Sequence, residues 1–259
     1  MIKYRSGQKY IFGVSHLPGL LGKELYKGQE ALYLHAKKEI EAIKKAGLTG
    51  LLLENENDRP YTTFARPEQI ASMTAVASRL KLEYPDFPLG VEYLINDPKA
   101  SLATAKASGL QFIRTDYWVD KMFREEYGEL EVDTDEFKNY RDQIKANDIL
   151  VFADIQVKYA QMREEKTIAE SAKQAISAGA DAIVVSGNAT GEAVDLTDLT
   201  EAKNAVPDKM VLVGSGFSHE NAEEILKIAD GALVGTSLME NSIITYKKAA
   251  KLAEVVFKS

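Results

Sequence analysis

Short runs rich in Val, Ile and Leu recur about every thirty residues along this 259-residue chain, each followed by a longer amphipathic stretch. The runs lie at 11–15, 50–54, 90–94, 111–115, 150–154, 182–186, 211–214 and 232–235. Such alternation predicts βαβ units on a parallel sheet. Gly47, Gly109 and Gly179 each stand just ahead of a run, where a helix closes on a left-handed residue. A (β/α)8 barrel occupies about 250 residues, so eight such units predict an α/β protein that is one TIM-barrel domain over residues 1–259. The alternative is a six-stranded doubly wound sheet, which requires two of the runs not to be strands.

The stretches between the runs have helical spacing. Residues 31–45 put Leu32, Ala36, Ile40 and Ile43 on one face and Lys37, Lys38, Glu41 and Lys44 on the other. Pro67 suits the first turn of a helix over 68–82, and Ser218 can cap one over 219–228. Residues 118–135 have no clear period and predict an extended loop after strand four, on the face where barrels carry function. No linker or low-complexity tract divides the chain.

Composition narrows the class. Hydrophobic residues make up 45% and charged residues 27%, an ordinary globular balance. A net charge of −7 argues against nucleic-acid binding, which needs clustered cationic side chains in excess. The absence of cysteine excludes disulfides, thiolate catalysis and cysteine-ligated metals. The opening residues carry no apolar signal segment, and no run approaches the roughly 18 apolar residues of a membrane span. The chain therefore reads as cytoplasmic and not membrane-inserted, with a homo-oligomer allowed.

Barrel enzymes place their chemistry at the C-terminal ends of the strands, so the residues closing each run matter most. Strand one runs into His16, strand two into Glu54 and Asn55 with Asp58 beyond, and strand three into Asn96 and Asp97. Strand four carries Arg114 and Asp116, and strand five Asp154, Gln156 and Lys158. Period-two alternation puts Arg114 with Asp116, and Asp154 with Gln156 and Lys158, on common faces. Charges entering apolar strands must be paired, ligand-bound or at a rim. Asp154 with Lys158 is the first acid/base pair to consider, and Glu54 with Asp116 the second. His16, Asn55, Asn96, Asp97, Arg114 and Gln156 are candidates for substrate contact. Any one of these residues could equally be a structural ion pair, such as Arg114 with a neighbouring carboxylate.

The last two strands end in small-residue bends, Gly214-Ser215-Gly216 and Gly235-Thr236-Ser237, and strand six ends in Ser186-Gly187. Amide groups of adjacent bends can converge on one anion, and (β/α)8 barrels bind phosphate after strands seven and eight. The expected partner is a phosphorylated small molecule. No cofactor is demanded; Mg2+ could use Glu54, Asp97, Asp116 and Asp154 as oxygen ligands. The three scattered histidines make no zinc site, His35 and His219 being surface or packing residues.

The motifs together resemble one family. His16-Leu17-Pro18-Gly19, Glu54-Asn55 with Asp58 and Pro60, Asn96-Asp97, Phe112-Ile113-Arg114, Ala153-Asp154 with Val157-Lys158, and Ala180-Asp181-Ala182-Ile183 belong to the set. So do Gly187 with Thr190-Gly191, Gly214-Ser215-Gly216, Glu220-Asn221, and Asp230-Gly231 with Val234-Gly235-Thr236-Ser237. They are similar to the BtpA family, with its SgcQ-like members, from strand one to the last helix. The resemblance implies a TIM barrel whose members are named for photosystem I assembly or lie among sugar-uptake and sugar-phosphate genes. This chain departs from that pattern at Glu92 and Asp116, where neutral amides are expected, and at Tyr159, which follows Lys158 in place of histidine. The charge and proton capacity of the mouth change accordingly, which points to a different substrate from its relatives.

Three functions follow as expectations. The first is a sugar-phosphate isomerase, epimerase or aldol-type lyase, with phosphate anchored at the last two bends and Lys158 also able to form a Schiff base. Sugar phosphates are then expected ahead of nucleotides. The second is a non-catalytic assembly or ligand-sensing protein that kept the barrel. The third is metal-assisted hydrolysis of a phosphoester or glycosyl phosphate.

Overall fold

The computed structural model describes residues 2–157, 159–187 and 194–257. Each of the eight apolar runs becomes a barrel strand: β1 Tyr10–His16, β2 Gly50–Glu54, β3 Leu89–Glu92, β4 Phe112–Thr115, β5 Leu150–Ile155, β6 Ala182–Val185, β7 Met210–Val213 and β8 Gly231–Val234. They close in sequence order, β1 pairing in parallel with both β2 and β8. Around them run α1 Gln29–Ala46, α2 Pro67–Glu83, α3 Pro98–Ser108, α4 Thr134–Gln143, α5 Ile168–Ser177, α6 Leu196–Ala205, α7 Ala222–Ile225 and α8 Tyr246–Val256. The doubly wound alternative is thereby excluded. No helix among the described residues is long and apolar enough to cross a membrane.

Alternation along the strands sorts the core into two layers. Ile11, Leu51, Leu53, Ile113 and Val151 point outward and meet the buried faces of the helices, including Leu32, Ala36, Ile40 and Ile43 of α1. Phe12, Leu52, Phe112, Phe152, Val184, Leu212 and Leu233 point inward. The rings of Phe12, Phe112 and Phe152 sit 4.7 to 5.6 Å apart by centroid and fill the barrel with a dry aromatic floor. Toward the mouth, the inward positions become His16, Glu54, Glu92, Arg114, Asp154, Ser186, Gly214 and Gly235.

Two expectations need correction. Residues 118–135 are not an irregular loop: Met122–Arg124 pairs antiparallel with Gly128–Leu130 and with Gln161–Met162, making a small sheet beside the mouth. Its short strands pack Met122 and Leu130 onto Ile95, Tyr117 and Val157, an apolar cluster of its own. The helix expected over 219–228 is four residues long, because Asn221 rather than Ser218 organises its start. The Asn221 side chain accepts from the Ser218 amide at 2.9 Å and donates to the Gly216 carbonyl at 2.7 Å.

Gly90 makes the aromatic floor possible. A Cβ there would lie 2.3 Å from the Phe112 ring, which is stacked on Phe152 and has nowhere to go. Gly90→Ala is expected to lower unfolding stability by about 1–3 kcal/mol through overpacking, read from urea denaturation. Stability within about 0.5 kcal/mol of the parent would mean that the floor yields more readily than this packing implies.

Candidate active site

Arg114 is the centre of the polar layer. Its Nε donates to Asp154 Oδ2 at 2.8 Å and its Nη2 to Asp154 Oδ1 at 2.9 Å, a two-pronged pair that fixes the guanidinium plane. Its Nη1 donates to Glu54 Oε1 at 3.1 Å and lies 3.7 Å from Glu92 Oε2. All four side chains are nearly inaccessible, Arg114 at 12%, Glu54 at 6%, and Glu92 and Asp154 at 2%. Ser186 Oγ donates to Asp154 Oδ1 at 3.2 Å and completes the hold on that carboxylate.

Three carboxylates around one guanidinium cannot all be charged cheaply. Burial pushes the Glu92 carboxyl well above the ordinary carboxylate range; Arg114 opposes this, while Asp116, Glu54 and Asp154 reinforce it. Burial works against the Arg114 charge too, but Asp154, Glu92 and Glu54 outweigh it and hold the guanidinium firmly protonated. Glu92 is therefore the carboxyl of the cluster that its surroundings bias toward the protonated form.

The cluster forms the floor of a cavity of about 860 Å3 at the barrel mouth. Its wall includes His16, Glu54, Arg114, Asp116, Asp154, Ser186, Ser215, Gly216, Thr236 and Ser237 among the residues expected to act, together with Gly214 and Gly235. The bends after β7 and β8 are adjacent: Ser237 Oγ donates to the Phe217 carbonyl at 2.8 Å. Thr236 and Ser237 open a 3-10 turn over Thr236–Leu238, so their amides have no acceptor within it. Gly216 has φ +68°, which turns the first bend through a left-handed residue.

The Gly214 amide does not join them, because it donates to the Val185 carbonyl at 2.9 Å as part of the barrel ladder. Gly214 is instead a spacer. A Cβ there would stand 2.6 Å from Ser186 Oγ and 3.1 Å from Arg114 Nη2, so its bareness lets Arg114 reach across to Asp154. Gly235 does the same for His16, whose Nε2 would lie 3.1 Å from an added Cβ.

Several expected contacts go elsewhere. Asn55 accepts from the Leu94 amide at 2.8 Å and donates to Asp58 at 3.3 Å, and Asp58 in turn accepts from the Leu20 amide and Gln69. Asn96 donates to the Glu131 carbonyl at 3.0 Å. Asp97 caps α3 through the Ala100 amide and also accepts from Ala65. These side chains satisfy backbone in buried loops, which must be paired somewhere. Gln156 leaves the face of Asp154 because β5 ends at Ile155 and Gln156 turns left-handed, at φ +47°, so its amide group reaches Lys166 and Ser171. Gly187 is buried and outside the cavity wall. Lys158, Asn188, Thr190 and Gly191 lie outside the described residues.

The Mg2+ ligand set does not assemble as expected, since Asp97 is spent on its helix and Arg114 stands between Glu54 and Asp154. Among the described residues no group of three or more His, Asp or Glu is placed to hold a metal ion. His35 sits 3.4 Å from buried Glu39, and His219 pairs with Glu220 at 2.8 Å; neither is part of the cavity wall.

Glu92 was absent from the expected contacts, although the alternation from Gly90 would have pointed it inward. Glu56, Arg59, Tyr61, Arg124 and Tyr159 also line the cavity. They come from loops, where no period marks direction.

Comparison with known proteins places the chain. The sequence model of the BtpA family matches residues 7–257. An uncharacterised protein of Archaeoglobus fulgidus is 33% identical over 246 residues, covering 95% of this chain and 97% of its own. The photosystem I biogenesis protein BtpA of Synechocystis is 30% identical over 237 residues, covering 90% of this chain and 82% of its own. Among solved structures, 3-hexulose-6-phosphate synthase from Salmonella typhimurium aligns with a TM-score of 0.61 at 14% identity, over 96% of this chain and 99% of that one. That likeness is one of fold.

Glu92 sets a pH dependence. A carboxyl whose folded pKa is raised binds more protons folded than unfolded, so its contribution to stability is present at low pH and is lost as pH climbs from the unfolded value of about 4.3 through the folded one. Glu92→Gln is expected to remove that loss, so the fall in urea midpoint between pH 5 and pH 8 should be smaller than in the parent. An equal or steeper fall would show that Glu92 ionises normally.

Proposed function

We propose that this chain, which belongs to the BtpA family, is an enzyme acting on a phosphorylated sugar, as an isomerase, epimerase or aldol-type lyase. The observation that carries the reading is one cavity joining the bends after β7 and β8 to the Arg114 cluster. Charge is segregated within it. The carboxylates around Arg114 outnumber the single guanidinium and repel an anion, whereas the opening amides of the second bend, beside Ser215, attract one. A sugar phosphate would enter in one orientation, phosphate on the bends and neutral carbons over the cluster. Phosphate binding would then serve to position the reacting carbons.

Within the cluster, roles divide by how each carboxylate is held. Both oxygens of Asp154 are engaged by Arg114, so Asp154 positions the guanidinium. Glu54 gives one oxygen to Arg114 and faces the cavity, which suits it to take a proton from a carbon next to a carbonyl. Asp116, also in the wall, is placed to return it. The structural neighbour 3-hexulose-6-phosphate synthase acts on a sugar phosphate by its name, and the shared barrel agrees with a phosphorylated ligand here. Keeping Arg114, Glu54 and Asp154 nearly buried and charged at a cavity floor is costly, which favours a functional role over a purely structural one.

Binding is tested by melting. Ribose 5-phosphate or fructose 6-phosphate should raise the melting temperature and the unphosphorylated sugars should not, because only ligands of the folded state stabilise it. Ser215→Asp places a carboxylate on the first bend and should abolish the shift; a shift that survives moves the phosphate elsewhere. Chemistry is tested by NMR in deuterium oxide, where an active sugar phosphate should exchange a carbon-bound hydrogen for solvent deuterium. Glu54→Gln should slow that exchange by at least about 100-fold, and an unaltered rate would remove Glu54 as the base.

A further inference from the structure

The wall facing the phosphate bends is of a different kind. In the closed ring of eight strands, β3 lies opposite β7 and β4 opposite β8. The loops after β2 and β3 and the segment after β5 bring Tyr61, Leu94, Ile95, Val157 and Tyr159 into that side of the cavity. Sugars offer hydroxyls, and part of this wall offers apolar and aromatic surface, set among the charged Glu56, Arg59, Asp116, Arg124 and Glu126.

Tyr61 is held as a platform. Its hydroxyl donates to the Glu56 carbonyl, 2.8 Å away, and lies 2.7 Å from the Glu56 carboxylate, while its ring packs against the cluster of Ile95, Tyr117, Met122, Leu130 and Val157. The Arg59 guanidinium stands 5.1 Å from the ring centroid and is paired with Glu56. Arg124 stands 5.1 Å from the Tyr127 centroid and 3.6 Å from Glu126. The Tyr61 ring is held by its hydroxyl and by the apolar cluster, so a flat group that displaces Arg59 from over its face would lie on a pre-ordered surface and lose little entropy there. The neighbouring Arg and Glu side chains supply donors and acceptors for ring heteroatoms.

Size points the same way. A cavity of about 860 Å3 falls in the upper part of the roughly 300–1,000 Å3 range that encloses drug-sized ligands. A bare pentose phosphate reaching from the bends to Arg114 would leave the aromatic wall unfilled.

We infer that the phosphorylated sugar bound here carries a planar, heteroaromatic ring, which stacks on Tyr61 opposite the phosphate. The inference rests on the phosphate reading above and deepens it, and it departs from the preference for bare sugar phosphates that the glycine bends alone suggest. Every heteroaromatic ring has a face to stack, so generic probes suffice.

The test is titration calorimetry with ribose 5-phosphate and with the 5′-monophosphates of the four common ribonucleosides. At least one nucleotide should bind about tenfold or more tightly than ribose 5-phosphate. Tyr61→Phe, which keeps the ring, should retain that gain, and Tyr61→Ala should abolish it. Ribose 5-phosphate binding with no gain for any nucleotide overturns this inference and leaves the phosphate reading standing. Failure of every phosphate to bind overturns both. A gain that survives Tyr61→Ala, or is lost equally in Tyr61→Phe, overturns the role of the Tyr61 face.

Discussion

One guanidinium, set across the barrel axis, holds the mouth of this protein together. Arg114 crosses from β4 to Asp154 on β5 and to Glu54 on β2, and it lies beside Glu92 on β3. Removing Arg114 would leave the buried Glu54 and Asp154 charges uncompensated, a loss of about 3–5 kcal/mol for pairs of this kind. Everything near it is shaped to permit the reach. Gly214 stays bare so the Nη2 edge can pass, Ser186 steadies Asp154, and the aromatic floor of Phe12, Phe112 and Phe152 denies water an approach from below.

The same constraint orients whatever binds. With Glu92 neutral, Glu54 and Asp154 still exceed Arg114 in charge, and Asp116 adds to the excess at the rim. An anionic group is then disfavoured over the cluster itself. The cavity thus has three zones: small and hydroxyl residues at the β7 and β8 side, the ionic cluster at the floor, and Tyr61 and Tyr159 among charged side chains at the β2 to β5 side. The proposed ligand, with a phosphate, a sugar and a flat ring in that order, would match these zones.

Much of this was legible in the sequence. The eight apolar runs, spaced by amphipathic stretches, correspond to the eight strands, because fully buried parallel strands leave an unbroken apolar signature. Inward placement of Glu54, Arg114, Asp154 and Ser186 follows from period-two alternation continuing from the core to the mouth. That logic fails where a strand stops. Gln156 departs from it at a left-handed residue, and Asn55, Asn96 and Asp97 turn to pair loop backbone, which residue type alone does not distinguish from ligand contact. Arg114 and Asp154 could be read individually as candidates, but their mutual pairing depends on register across β4 and β5. The aromatic wall was not readable at all, since Tyr61 and Tyr159 belong to loops whose course is set by tertiary packing.

The most direct measurement is a crystal structure with ribose 5-phosphate bound. The account predicts the phosphorus between the two bends, with the amides of Thr236 and Ser237 within hydrogen-bond distance of its oxygens and the sugar carbons over Glu54 and Arg114. A phosphate seated instead on Arg59 and Arg124, at the opposite wall, would contradict it.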